Sequence, residues 1–176
     1  MTEPTMLPAA QRVTPISFGQ SFVSSESFRL LFREGMGLIE ETAAYLDGQG
    51  RDDSRGLVRQ GSLAYATESM RLTTRLMQIA SWLLVQRAVA EGEMTPEQAR
   101  QEQNKVKLTW QDQTSAPELF ALLPVKLQDL IGHSLRLQTR IMHLDALIAG
   151  AAAPVEEPGD SPVAQQLGLL RSAFGR

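Results

Sequence analysis

His133, in the run His133-Ser134-Leu135-Arg136, is the residue in this 176-residue chain whose type and setting come nearest to chemistry. On a helix, Asp129, His133, Arg136, Arg140 and His143 share one face, opposite a row of leucines, so the imidazole would reach solvent as a phosphoacceptor must. The bland alternative is a solvated polar face laced with charges. His133 and His143 are ten residues apart, or about 15 Å along a helix, so they cannot share one metal ion within a chain. The chain has no cysteine, which removes disulfides, thiolate nucleophiles and the common zinc sites. No acid/base pair or nucleophile is spaced for catalysis, and neither a cofactor nor a metal is expected.

The His133 run resembles the H-x-L-R segments of phosphotransfer histidines on helical bundles. Leu137 stands where phosphotransfer domains carry glycine, and Leu137-Gln138 where sensor kinases carry Thr-Pro. No acid adjoins the histidine in sequence and no nucleotide-binding segment is present. A phosphotransfer protein using His133 is therefore the alternative function, and a non-enzymatic interaction protein the first.

The elements that would position these residues are long amphipathic helices. Leu127, Leu130, Ser134, Leu137, Ile141, Leu144 and Ile148 alternate steps of three and four, predicting a helix over Pro124 to Ala149 with one polar member in its core stripe. Ser54 to Glu91 holds Tyr65, Ser69, Leu72, Leu76, Ile79 and Leu83 in the same register, flanked by Leu63, Met70, Met77 and Leu84. That wider apolar face suits a central helix touching two neighbours, with Met70 and Met77 as core filler. Its length would be about 57 Å, long enough for part to project beyond a bundle of this size.

A first helix is expected from a cap at Ser24 or Ser25, with Phe28, Leu31, Phe32, Leu38, Ile39, Tyr45 and Leu46 on one face. Gly35 and Gly37 are tolerable there if a neighbour packs close. Asp47-Gly48-Gln49-Gly50 ends it, while Asp52, Asp53 and Ser54 suit the start of the next helix, antiparallel to the first. Thr95-Pro96-Glu97-Gln98 is a capping box for a short helix to about Lys105. Lys107 to Thr114 reads as a loop with Trp110 as its anchor, Ser115-Ala116-Pro117-Glu118 repeats the capping pattern, and Pro124 kinks or restarts the helix that follows. The fold class is all-α: a bundle of three long helices with one or two short ones over residues 21–150, a flexible arm over 1–20 and a flexible tail over 151–176.

Within the tail, GAAAPVEEPGDSP is a linker by composition, and Val163, Leu167, Leu170 and Phe174 then recur at helical spacing. The tether reaches about 20 Å, so this face could dock on its own bundle or on another protein. A second candidate for partner contact is Glu68, Arg71, Arg75, Gln78 and Trp82, a polar face ending in an aromatic: either the helix rolls or the bundle covers Trp82 there, or Trp82 is exposed and the face has the composition of an interface anchor or a homodimer seam. Arg136 and Arg140 on the His133 face complete the partner-contact candidates.

The formal net charge is −3 and the basic residues are dispersed, so neither nucleic acid nor an anionic membrane is an expected partner. No signal peptide or membrane-length apolar run is present, and the cytoplasm is the expected location.

The stretch Ser62 to Glu93, SLAYATESMRLTTRLMQIASWLLVQRAVAEGE, resembles the alphaproteobacterial family of regulators of CtrA degradation, the RcdA family. FRLLFREGMGLIEETAAYLDG before it and LPVKLQDLIGHSLRLQTRIMHLDALIAG after it extend the resemblance over about Ser21 to Ala149. The resemblance implies a small helical bundle that forms a homodimer. It implies an adaptor delivering cell-cycle cargo such as CtrA to the ClpXP protease, together with a CpdR-like priming factor, and concentration at the cell pole. It implies no catalytic residue.

Overall fold

The computed structural model describes residue 22 and residues 25–105 and 115–151. Among them are six helices: α1 Glu26–Asp47, α2 Gln49–Arg55, α3 Arg59–Ala90, α4 Pro96–Lys105, α5 Pro117–Phe120 and α6 Val125–Ala151. Three are long and three short, and no strand occurs among the described residues. The arm over 1–20, the loop with Trp110 and the apolar tail positions Val163, Leu167, Leu170 and Phe174 lie outside the described residues.

Local chemistry sets most boundaries. The Ser25 hydroxyl accepts from the Phe28 amide at 3.3 Å and starts α1, as expected of an N-cap serine. Thr95 and Gln98 form the reciprocal capping box of α4: the Thr95 amide donates to Gln98 Oε1 at 3.0 Å, and the Gln98 amide to Thr95 Oγ1 at 3.2 Å. Pro124 restarts the chain as α6, its carbonyl accepting from the Gln128 amide at 3.1 Å.

Two expectations fail at turns. The long second helix begins at Arg59, five residues after Ser54, because Gly56 breaks the run. Asp52, Asp53 and Ser54 thus belong to the separate short helix α2, and α3 is about 48 Å long. The second S-x-x-E pattern forms no capping box: the Ser115 hydroxyl instead donates to Glu68 Oε1 at 2.6 Å, and its amide to the same oxygen at 3.1 Å. Buried Glu68 thus gains two donors beyond Arg71, which pairs with the same oxygen at 2.6 Å, and a buried carboxylate is stabilised by each further donor it finds.

α1 and α3 are antiparallel. Gly35 allows the closest approach: a Cβ there would lie 2.4 Å from Leu83 Cδ1. α6 runs parallel to α3, with Arg75 opposite Ser134 and Trp82 opposite Asp145. The segment through α4 and α5 carries the chain back along α3 to allow this. The core is the inner stripe of the three long helices, including Leu31, Leu38, Leu72, Ile79, Leu83, Leu127, Leu137 and Ile141.

Candidate interaction surface

The orientation of α3 reverses part of the sequence reading. Leu72, Leu76, Ile79 and Leu83 face the core, but the polar flank turns inward with them while the flank of Leu63, Met70, Met77 and Leu84 faces solvent. Returning the chain for a parallel α6 covers the polar flank, and α6 and Ser115 supply its hydrogen bonds. Trp82 is 2% exposed and its Nε1 donates to Asp145 Oδ1 at 2.8 Å. Arg75 is buried and donates to Ser134 Oγ at 2.9 Å. Neither side chain presents itself to a partner in this fold. Arg71 is three-quarters covered and pairs with the buried Glu68 at 2.6 Å. This network also accounts for the polar interruption at Ser134, whose hydroxyl donates to the Ile131 carbonyl at 2.7 Å while accepting from Arg75.

What the roll exposes is an apolar row. Leu63, Met70, Met77 and Leu84 are 72, 73, 68 and 53% exposed, so the two methionines are surface residues rather than core filler. Successive members are seven residues apart, which keeps the row nearly straight along the helix. Between Ser62 and Leu84 no exposed residue is charged. The small Ala66, Thr73, Thr74, Ala80 and Ser81 lie between the large members. A groove of about 380 Å³ between α1 and α3, lined by Ile39, Ala43, Leu46, Leu76 and Met77, adjoins the row. An uncharged face carrying four large side chains marks an interaction surface. Sequence periodicity contained this row but could not say which flank would be covered.

The row also reads the same in both directions. Leu-Met-Met-Leu is symmetric about Thr73-Thr74, so two copies laid antiparallel would place Leu63 opposite Leu84 and Met70 opposite Met77, an isologous match.

His133 lies on the α1/α6 seam, where its Nε2 is 3.1 Å from Glu34 Oε1. Arg140 donates to the other carboxylate oxygen of Glu34 at 2.7 Å, and Lys126 pairs with Glu41 further along. Burial alone would raise the Glu34 pKa, but the bonds from His133 and Arg140 outweigh it and hold the carboxyl below its ordinary value. His133 is still 37% exposed. A phosphoryl donor would nevertheless meet a carboxylate already on Nε2, so the arrangement does the work of an interhelical clasp better than that of a phosphoacceptor. Arg136 and Arg140 are exposed on the same helix. The structure does not bring the partner-contact candidates of α3 and α6 into one patch: Arg136 and Arg140 are on the surface while Arg75 and Trp82 are interior. Among the described residues no group of three potential metal ligands clusters, and no helix is long and apolar enough to cross a membrane.

Comparison with known proteins places these features in context. A family model described as a protein of unknown function, DUF1465, matches residues 19–174. The crystal structure of RcdA from Caulobacter crescentus CB15 is 53% identical in sequence, with a TM-score of 0.60, over 73% of this chain and 96% of that one. No curated protein matches.

Proposed function

Since this chain belongs to the RcdA family, the family described as DUF1465, we propose that it is a non-enzymatic protease adaptor. In this reading it helps deliver cell-cycle regulators such as CtrA to ClpXP, working with a CpdR-like priming factor. The observation that carries the reading is 53% identity to RcdA over nearly all of that protein's length. The geometry supports the class of function: an extended uncharged row on α3 suits a module that holds other proteins.

An adaptor acts by making capture intramolecular. Holding cargo and protease together raises their mutual concentration to the millimolar range, so individually weak contacts suffice. The self-complementary row of Leu63, Met70, Met77 and Leu84 supports a homodimer, which would double the number of contacts available to an assembly. The protein would work in the cytoplasm, concentrated at the cell pole, with no nucleic acid and no membrane insertion among its interactions.

The test is ATP-dependent loss of a CtrA-type cargo in reconstituted ClpXP with the priming factor, with and without the full chain. Faster loss in its presence is the expected result; the same rate with and without it overturns the adaptor role.

A further inference from the structure

A second cavity, distinct from the apolar row, opens at the end of the bundle where α3 finishes. It has a volume of about 680 Å³ between the first half of α1 and the last turn of α3. Phe28, Phe32 and Met36 supply apolar surface from α1, and Ala90 supplies the opposite side. Gly37 lies on the cavity wall, where a Cβ would meet nothing within 4 Å. Arg29, Arg33 and Arg87 line the rim, with Arg87 lying 5.2 Å from the centroid of the Phe32 ring. Arg29 and Arg87 have carboxylate partners in Glu26 and Glu91, whereas Arg33 is exposed.

We propose that this slot is a docking site for the chain's own C-terminal segment, Val163 to Phe174, bound in cis. Three observations choose this occupant. The tail leaves from the same end of the bundle: Trp82 bonds Asp145 across parallel helices, so Ala151, about 9 Å further along α6, is level with the last turns of α3. Eleven residues of the composition of 152 to 162, rich in proline, alanine and acids, correspond to a root-mean-square span of about 20 Å, enough to cross the end of a three-helix bundle. The chemistry is also complementary in order and sign. Glu156, Glu157 and Asp160 precede the apolar positions Val163, Leu167, Leu170 and Phe174, matching an arginine rim around a Phe-Phe-Met floor. Basic Arg171 within the segment has Glu40 of the slot to meet.

Docking in cis would make the tail's availability to any other protein depend on an opening equilibrium, since a face lodged on the bundle cannot at the same time lie on a partner. This consequence is independent of the adaptor reading, and so is its test.

The absence of native cysteine makes disulfide trapping in the full-length chain clean. A Met36→Cys/Leu170→Cys variant places one thiol in the slot and one on the tail's apolar face. A Glu93→Cys/Leu170→Cys variant places the first thiol at the same end of the bundle but outside the slot. Under mild oxidation the Met36 pair is expected to close within one chain roughly tenfold faster than the Glu93 pair, at a rate independent of protein concentration. Adding Arg33→Glu, or raising the salt, should slow it several-fold. Ala90→Cys with Leu170→Cys approaches from the other side and serves if a thiol at Met36 disturbs folding. Equal closure rates at slot and control positions, or cross-links only between chains, would overturn the proposal.

Discussion

Arg75 and Ser134, 59 residues apart in sequence, are joined by a 2.9 Å hydrogen bond inside the bundle, with both residues buried. Burial disfavours the Arg75 cation and pushes its pKa down, while Glu68 on the same helix opposes that shift. The parallel contact of α3 and α6 therefore carries a fixed polar register among leucines. Ser134→Ala leaves a buried donor without its acceptor and is expected to cost about 1–3 kcal/mol. Arg75→Met combined with Ser134→Ala should cost less than the sum of the single changes, because both ends of the bond then leave together. Urea denaturation of the four-member cycle checks this; additive losses would mean that the bond fixes nothing.

The two glycines of α1 should respond in opposite directions. At Gly35 a methyl group would meet the wholly buried Leu83 at 2.4 Å, whereas at Gly37 it would meet nothing within 4 Å. Gly37→Ala should stabilise by up to about 1 kcal/mol through helix propensity. Gly35→Ala gains the same propensity but forces Leu83 from its place, at a cost of about 1–3 kcal/mol. Thermal melting of the two single variants should show a higher Tm for the first and an unchanged or lower Tm for the second.

This contrast indicates how far the sequence could be read. A glycine pair in a helical pattern announces a close approach but not which member makes it, since that depends on the neighbour's register. The leucine stripe of α6, the Ser25 cap and the Thr95-Gln98 box were legible because each is a local pattern with a local cause. The direction in which α3 presents its flanks was not. Helical spacing groups Glu68, Arg75 and Trp82 on one polar face and leaves open whether the bundle covers Trp82; the partners that settle it, Ser115, Ser134 and Asp145, come from far along the chain. The exposed row was hidden by the same logic, because leucine and methionine at helical spacing normally belong to a core. The Glu34 clasp on His133 could not be found from sequence neighbours, since the acid arrives from a helix 99 residues earlier.

That clasp has a pH signature. Glu34 is held below its ordinary value of 4.5 despite a burial effect that would raise it. A carboxyl whose folded pKa is depressed contributes stability above its unfolded pKa and loses it as pH falls through the folded value. The contribution should therefore be full near neutrality and fade below about pH 4.5. The carboxylate is one-third exposed, so solvent screening limits the effect to about 1 kcal/mol or less. The Tm difference between the native chain and Glu34→Gln, measured from pH 7 to pH 3, should shrink toward the acid end; a constant difference would assign the effect of the substitution to packing.

The exposed row on α3 makes the sharpest demand. Leu63, Met70, Met77 and Leu84 touch water over most of their surface in the single chain, so charging them should leave the core untouched. Met70→Glu with Met77→Glu is expected to retain helix content and melting cooperativity. If the row pairs with itself, those substitutions place four carboxylates across the centre of an antiparallel seam, where like charges are strongly unfavourable. Sedimentation equilibrium should then show a dimer for the native chain and a monomer for the variant. Leu63→Met with Leu84→Met, which keeps the seam apolar, should remain dimeric. A variant whose mass stays dimeric despite the carboxylates would place the seam elsewhere and leave the row free for a different protein.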